Sequence, residues 1–125
     1  MTVLLVDSDI VIEILRQRDV SIASQWDHLV RGEGLLYYSP VTLAEVWRGV
    51  REAEREMTGA AFATMTCIAV DAHIGRRAGD YMRLFSASHN LELGDALIAA
   101  TATVYNVPLW TRNKKHYPMK DLRLF

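Results

Sequence analysis

Three acidic residues lie far apart in the chain, each in apolar surroundings: Asp7 in VLLVDSD, Glu45 in PVTLAEVWRGV and Asp95 in LELGDALIAATA. Each has an ordinary structural role open to it. Asp7 or Asp9 can cap a following helix, a contribution of about 1 kcal/mol. Glu45 can complement a helix dipole from the first turn, worth about 0.3–1 kcal/mol. Asp95 is harder to explain that way. Leu93 spaces with Leu97, Ala100 and Val104, which starts the helix before Asp95 and sets the carboxylate in the first turn beside Ala96, Ala99, Ala100 and Ala102. Small residues let a helix lie close to a sheet. An unpaired carboxylate desolvated there costs on the order of several kcal/mol, so it needs a cation.

Convergence of the three acids sharpens that need. Two carboxylates about 4 Å apart repel by roughly 4 kcal/mol at an effective dielectric near 20. A divalent cation offsets this, and all-oxygen acidic donors favour Mg2+ or Mn2+ over zinc. Such an ion polarises a phosphodiester and turns a bound water into a nucleophile. The expected chemistry is metal-dependent hydrolysis of phosphate esters.

The elements that must position these acids alternate in type. Val3–Val6 is a short apolar run, the signature of a strand buried on both faces. Helical spacing follows over Asp9–Arg16 and Ser21–Val30, the second ended by Gly32 and Gly34. LLYYSP is a strand stopped by Pro40. Thr42–Glu56 reads as a helix with Leu43, Val46, Trp47 and Val50 inward, and a further helix covers Ala53–Thr64. Cys67–Val70 is a strand, Asp71–Ser86 a helix capped by Asp71, and Leu93–Tyr105 the helix of Asp95. Pro108–Thr111 and the closing LRLF complete the strands. Strands separated by helices predict a three-layer α/β/α sandwich with a central, mostly parallel sheet, as one domain over residues 1–125. In such sheets ligands bind at the carboxyl ends of the strands, and Asp7 directly follows the first strand.

Bulk properties fit this reading. The chain has 125 residues, 50% hydrophobic and 23% charged, enough for a core. A net charge of −1 gives nucleic-acid binding no bulk support, so any such activity rests on a local site. Cys67 is the only cysteine, which excludes an internal disulfide and a cysteine zinc cluster and suits a reducing cytoplasm. The N-terminal apolar run ends in acid at Asp7 and lacks the basic start of a signal peptide, and no apolar run spans a bilayer. The expectation is a soluble, unprocessed protein without membrane contact.

The ordered set VDSD, PVTLAEVWRG, LGDALIAATA and LWTRNKKHY resembles the PIN-domain family, and within it the VapC-type toxins, the ribonuclease half of type II toxin–antitoxin pairs. The likeness runs from Val3 nearly to the end of the chain. It implies that Asp7, Glu45 and Asp95 are catalytic and bind Mg2+ or Mn2+. It also implies that Ser8 supports the site and that Thr111 and Asn113 lie near the metal. Many relatives carry a fourth acid three residues after that Asn; here His116 stands in its place, on the substrate side or at the rim, which leaves one metal or two open, with Glu92 a nearby acid. The resemblance further implies an RNA substrate, a blocking antitoxin and a homodimer, for which Trp26, Trp47 and Tyr81 are candidate contacts.

Other charged groups have plainer readings. Arg48, Arg51 and Arg55 alternate with Glu52, Glu54 and Glu56, and Arg48 with Glu52 forms an i,i+4 pair on a solvated face. Contact with RNA phosphates is the other reading of these arginines, and Arg76, Arg77 and Arg83 have the same two. Arg112–His116 is the densest basic cluster and reads as a phosphate-side rim, whereas His28, His73 and His89 show no ligand spacing. The rival enzyme is a haloacid-dehalogenase-like phosphatase using Asp7 and Asp9 of DSDIV. The non-enzymatic rivals are a receiver-like domain and a degenerate PIN fold that binds RNA or protein.

Overall fold

The computed structural model describes all residues, Met1–Phe125. Its elements are β1 (Thr2–Val6), α1 (Ser8–Arg16), α2 (Val20–His28), β2 (Gly34–Tyr38), α3 (Pro40–Trp47), α4 (Arg55–Ala63), β3 (Thr66–Cys67), α5 (Ala72–His89), α6 (Leu93–Val104) and β4 (Leu109–Trp110). The four strands form one sheet in the order β3-β2-β1-β4, every pairing parallel. The chain adds β2 and β3 on one side of β1, then crosses to add β4 on the other. The order therefore reverses at β1, and the carboxyl ends of β1 and β4 flank the place where such sheets bind ligands.

Alternation along β1 builds two cores. Leu5 packs with Ile74, Tyr81, Ile98 and Leu109 on the α5–α6 side. Leu4 and Val6 pack with Ile10, Trp26, Val46 and Phe62 on the side of α1 to α4. This is the expected α/β/α sandwich. Alanines bring α6 close: Ala96, Ala99 and Ala100 are fully buried, where longer side chains would hold the helix off the sheet.

Local signals set most boundaries. Asp71 caps α5 by accepting from the Ile74 N–H at 3.0 Å, and Asn90 ends it in the left-handed conformation at φ 51°. After α2 the chain makes a wide turn over Leu29–Glu33, with Gly32 at φ 124°, where only glycine is at ease.

The long helix expected over Thr42–Glu56 does not exist as one piece. It ends at Trp47, and Arg51 lies extended at φ −82° and ψ 158° before a short turn, Glu52–Glu54, leads into α4. The Glu54 side chain accepts from the Arg51 N–H at 2.9 Å and so begins a second helical segment. Arg48 and Glu52 are thus on different segments, and Glu52 pairs with Arg55 at 3.2 Å instead. The strand expected over Cys67–Val70 shrinks to Thr66–Cys67, and LRLF contributes one parallel bridge, Leu124 to Leu109, rather than a strand. Of the aromatic contact candidates, Trp26 and Tyr81 are core residues, while Trp47 is 38% exposed.

Candidate active site

Asp7 leaves β1 at its carboxyl end and is 6% exposed. Its backbone N–H donates to the Trp110 carbonyl of β4 at 2.9 Å, so the sheet itself fixes the residue. Its Oδ1 accepts the Ser8 N–H at 2.8 Å and its Oδ2 accepts the Tyr117 hydroxyl at 2.8 Å. Burial, with the Asp9 charge adding to it, pushes the Asp7 carboxyl up to about 6 despite those donors.

Ser8 links two of the acids. Its hydroxyl lies 3.1 Å from Glu45 Oε1 and 3.4 Å from Asp7 Oδ1. Glu45 is half-buried on α3, and burial raises its carboxyl above the usual range, with the neighbouring Asp95 charge contributing in the same direction. The third acid arrives on α6. A Cβ on Gly94 would stand 3.3 Å from Glu45 Oε2, so the absent side chain lets α6 close onto Glu45, and Asp95 follows as the next residue of the helix. Glu92, not Asp95, is the N-cap of α6, and Asp95 sits in its first turn as the spacing of Leu93 implies.

The segment after β4 covers these groups. His116 Nε2 lies 2.7 Å from Asp95 Oδ2, a hydrogen bond between the ring and the carboxyl group. The Thr111 hydroxyl reaches Asp9 Oδ2 at 3.3 Å and receives the Asn113 N–H at 3.2 Å. Asn113 is exposed, and its side chain makes no hydrogen bond within the chain. Lys114 and Lys115 are also exposed. Arg112 departs from the expected phosphate-side rim: its guanidinium contacts the buried Glu13 at 2.6 Å.

A PIN domain model matches residues 4–122. The chain belongs to the PIN domain family. Among curated relatives, Ribonuclease VapC10 of Mycobacterium tuberculosis is 44% identical over 117 residues, which cover 93% of this chain and 86% of that protein. Ribonuclease VapC19 of the same organism is 32% identical over 116 residues, 92% of each chain. These relatives bear out the resemblance to VapC-type toxins. Solved structures agree on the fold. VapBC-1 from nontypeable Haemophilus influenzae superposes with a TM-score of 0.80 at 20% identity, covering 99% of this chain and 97% of that one. DNA-bound VapBC from Salmonella typhimurium gives 0.80 at 16% identity, covering 100% and 98%.

In this PIN domain the donor set suits a hard divalent ion, because Asp7, Glu45 and Asp95 offer only carboxylate oxygen. Asp7 suits one by its surroundings as well: it is buried, costly to ionise, and bonded to Ser8 and Tyr117 with no Lys or Arg among its partners. No three His, Cys, Asp or Glu side chains stand at ligand spacing, so an ion would draw the carboxylates together from where they lie. Asp9 Oδ2 accepts the Arg112 N–H at 3.0 Å and the Thr111 hydroxyl, while its buried Oδ1 has no hydrogen-bond partner in the chain.

Sequence reasoning passed over Tyr117, Gly94 and Glu13. Tyr117 carried the one usable signal. A buried tyrosine brings a hydroxyl that requires a partner, and this one follows directly on the basic run.

Proposed function

We propose that this chain is a Mg2+-dependent endoribonuclease, the toxin of a type II toxin–antitoxin pair, with Asp7, Glu45 and Asp95 holding the ion; Mn2+ would serve in its place. The observation that carries the reading is the Ser8 hydroxyl between Asp7 and Glu45, with Gly94 bringing Asp95 alongside. Three distant segments meet at the strand-order reversal of a family whose curated relatives are named ribonucleases.

When bound, the ion would polarise the scissile phosphodiester and supply a hydroxide nucleophile. The chain's own groups orient it. Ser8 ties Asp7 to Glu45. Burial holds the Tyr117 phenol far above its usual value, so it stays a neutral donor to Asp7. His116 braces Asp95. Lys114, Lys115 and Asn113 lie exposed on the same segment, on the side where RNA phosphates would approach.

The partner in this reading is an antitoxin. A groove of about 340 Å³ between α1, α3 and α4 is lined by the apolar Ile12, Leu15, Val46, Val50 and Met57 and by the charged Arg16, Glu45, Arg51 and Glu54, and suits a segment that carries both apolar and charged side chains. Leu43 and the exposed Trp47 on α3 are the candidate homodimer contact. No helix is long and apolar enough to cross a membrane; in this reading the toxin works in the cytoplasm, on cellular RNA.

The test is cleavage of total RNA by the full chain in Mg2+, in EDTA, and with Asp7→Ala or Asp95→Ala. Cleavage should vanish in EDTA and in both variants. Undiminished cleavage in EDTA removes the metal mechanism, and undiminished cleavage by both variants removes the site.

A further inference from the structure

Asp9 and Glu13 are four residues apart on α1 and so share one face, which meets the segment after β4. Asp9 Oδ2 accepts the Arg112 backbone N–H at 3.0 Å. Glu13, only 5% exposed, accepts the Arg112 guanidinium on Oε1 at 2.6 Å and the Arg18 and Asp19 N–H groups on Oε2, both at 2.9 Å. Arg112 Nη2 also lies 3.6 Å from Asp19 Oδ2. One buried carboxylate thereby joins α1, the turn into α2 and the strand-following segment.

That segment is also bonded to itself. The Asn113 N–H goes to Thr111 Oγ1, the His116 N–H to the Asn113 carbonyl, and the Tyr117 N–H to the Lys114 carbonyl. These bonds connect Arg112 with the two residues whose side chains bond Asp95 and Asp7. We propose that the Arg112–Glu13 pair is a latch that seats His116 and Tyr117 on the metal-binding acids, making both members positioning residues; the inference rests on the ribonuclease reading. Neither residue touches the acids itself. Loss of partners that orient metal ligands typically costs about 10–100-fold in affinity or activity.

Wild type, Glu13→Gln, Arg112→Met and Arg112→Lys are compared at a temperature where circular dichroism shows each folded. The readouts are the Mn2+ dissociation constant by electron paramagnetic resonance, without RNA, and steady-state RNA cleavage. Glu13→Gln and Arg112→Met are expected to weaken Mn2+ binding about tenfold and lower kcat about 10–100-fold, with KM within about twofold. Arg112→Lys, which keeps the charge without the fork, should fall between wild type and Arg112→Met. If Arg112→Met does not fold, Glu13→Gln carries the same test, since its side-chain carbonyl still serves the Arg18 and Asp19 N–H groups. A raised KM in Arg112→Met, with kcat and Mn2+ affinity unchanged and Glu13→Gln silent, makes Arg112 a phosphate contact and overturns the latch. Weakened Mn2+ binding in a protein that cuts no RNA upholds the latch and removes the ribonuclease reading. Unchanged Mn2+ binding and kcat in an active enzyme does the reverse, and a wild type that binds no Mn2+ overturns both.

Discussion

The Tyr117 hydroxyl donates to Asp7 Oδ2 at 2.8 Å across 110 residues of sequence, inside the core. It is the one donor to Asp7 Oδ2, while Ser8 serves Oδ1, on a carboxylate that burial already makes hard to ionise. Tyr117→Phe deletes that one oxygen and leaves the ring. Hydrogen bonds to charged groups contribute about 1.5–3 kcal/mol, so Asp7 should ionise less readily and bind the ion roughly tenfold or more weakly. RNA cleavage at neutral pH is expected to fall by a similar factor and recover as Mg2+ or pH is raised. Initial rates over a Mg2+ series at two pH values check this; a loss that neither change relieves would count against it.

Stability of the ion-free protein should also follow Asp7. A carboxyl raised from 3.8 to about 6 in the fold favours folding while protonated, and that stability is lost as pH rises from the unfolded value through about 6. The change at Asp7 is on the order of 3 kcal/mol. Asp9 and Glu45 are raised too and act in the same direction, whereas Glu13 is lowered and opposes them. In EDTA the protein is therefore expected to melt higher at pH 5 than at pH 7.5. Asp7→Asn should flatten much of that difference, and excess Mg2+ should raise the melting temperature mainly at the higher pH. Melting curves at the two pH values, with and without EDTA, decide it.

Gly94 separates stability from function. Alanine is the better helix former by about 0.5–1 kcal/mol. Its Cβ, however, would meet Glu45 Oε2 at 3.3 Å and Val41 Cγ1 at 3.5 Å. The carboxylate lies at the far end of a flexible side chain and can swing away, so the fold should survive. Gly94→Ala is expected to melt within a few degrees of wild type while Mn2+ affinity and RNA cleavage both drop about tenfold, the scale of a disturbed metal ligand. An active Gly94→Ala would place Glu45 outside the ion's reach.

The sheet was legible in the sequence because Val3–Val6 is apolar without a break, and Leu4, Leu5 and Val6 are buried in the cores on the two faces of β1. The break after Trp47 was hidden. Arg48–Glu56 alternates charges at helical spacing, and the side chain of Glu54 that serves the Arg51 N–H is a contact a pattern does not display. The same division holds at the site. Asp7, Glu45 and Asp95 stood out as carboxylates among apolar neighbours. Of their partners, Ser8 and His116 were expected at the site from the resemblance, whereas Tyr117 was not, because it reaches Asp7 only once β4 has crossed to the far side of β1. Arg112 was misplaced for the opposite reason: basic residues beside a strand end suggest phosphate, and the buried Glu13 that engages it is 99 residues away.

His116 itself allows a sharper test. Its Nε2 sits 2.7 Å from Asp95 Oδ2, so a carboxylate placed there faces another at close range. Two such charges about 4 Å apart repel by roughly 4 kcal/mol at an effective dielectric near 20. His116→Asp is therefore expected to lower the melting temperature in EDTA and to enlarge the stabilisation given by Mg2+. In calorimetric titration it should bind Mn2+ at a higher stoichiometry than wild type. His116→Gln, which keeps a donor for Asp95, should melt near wild type in EDTA and bind Mn2+ at the wild-type stoichiometry. Equal melting of His116→Asp and wild type in EDTA would mean that Asp95 and residue 116 do not share the ion's pocket.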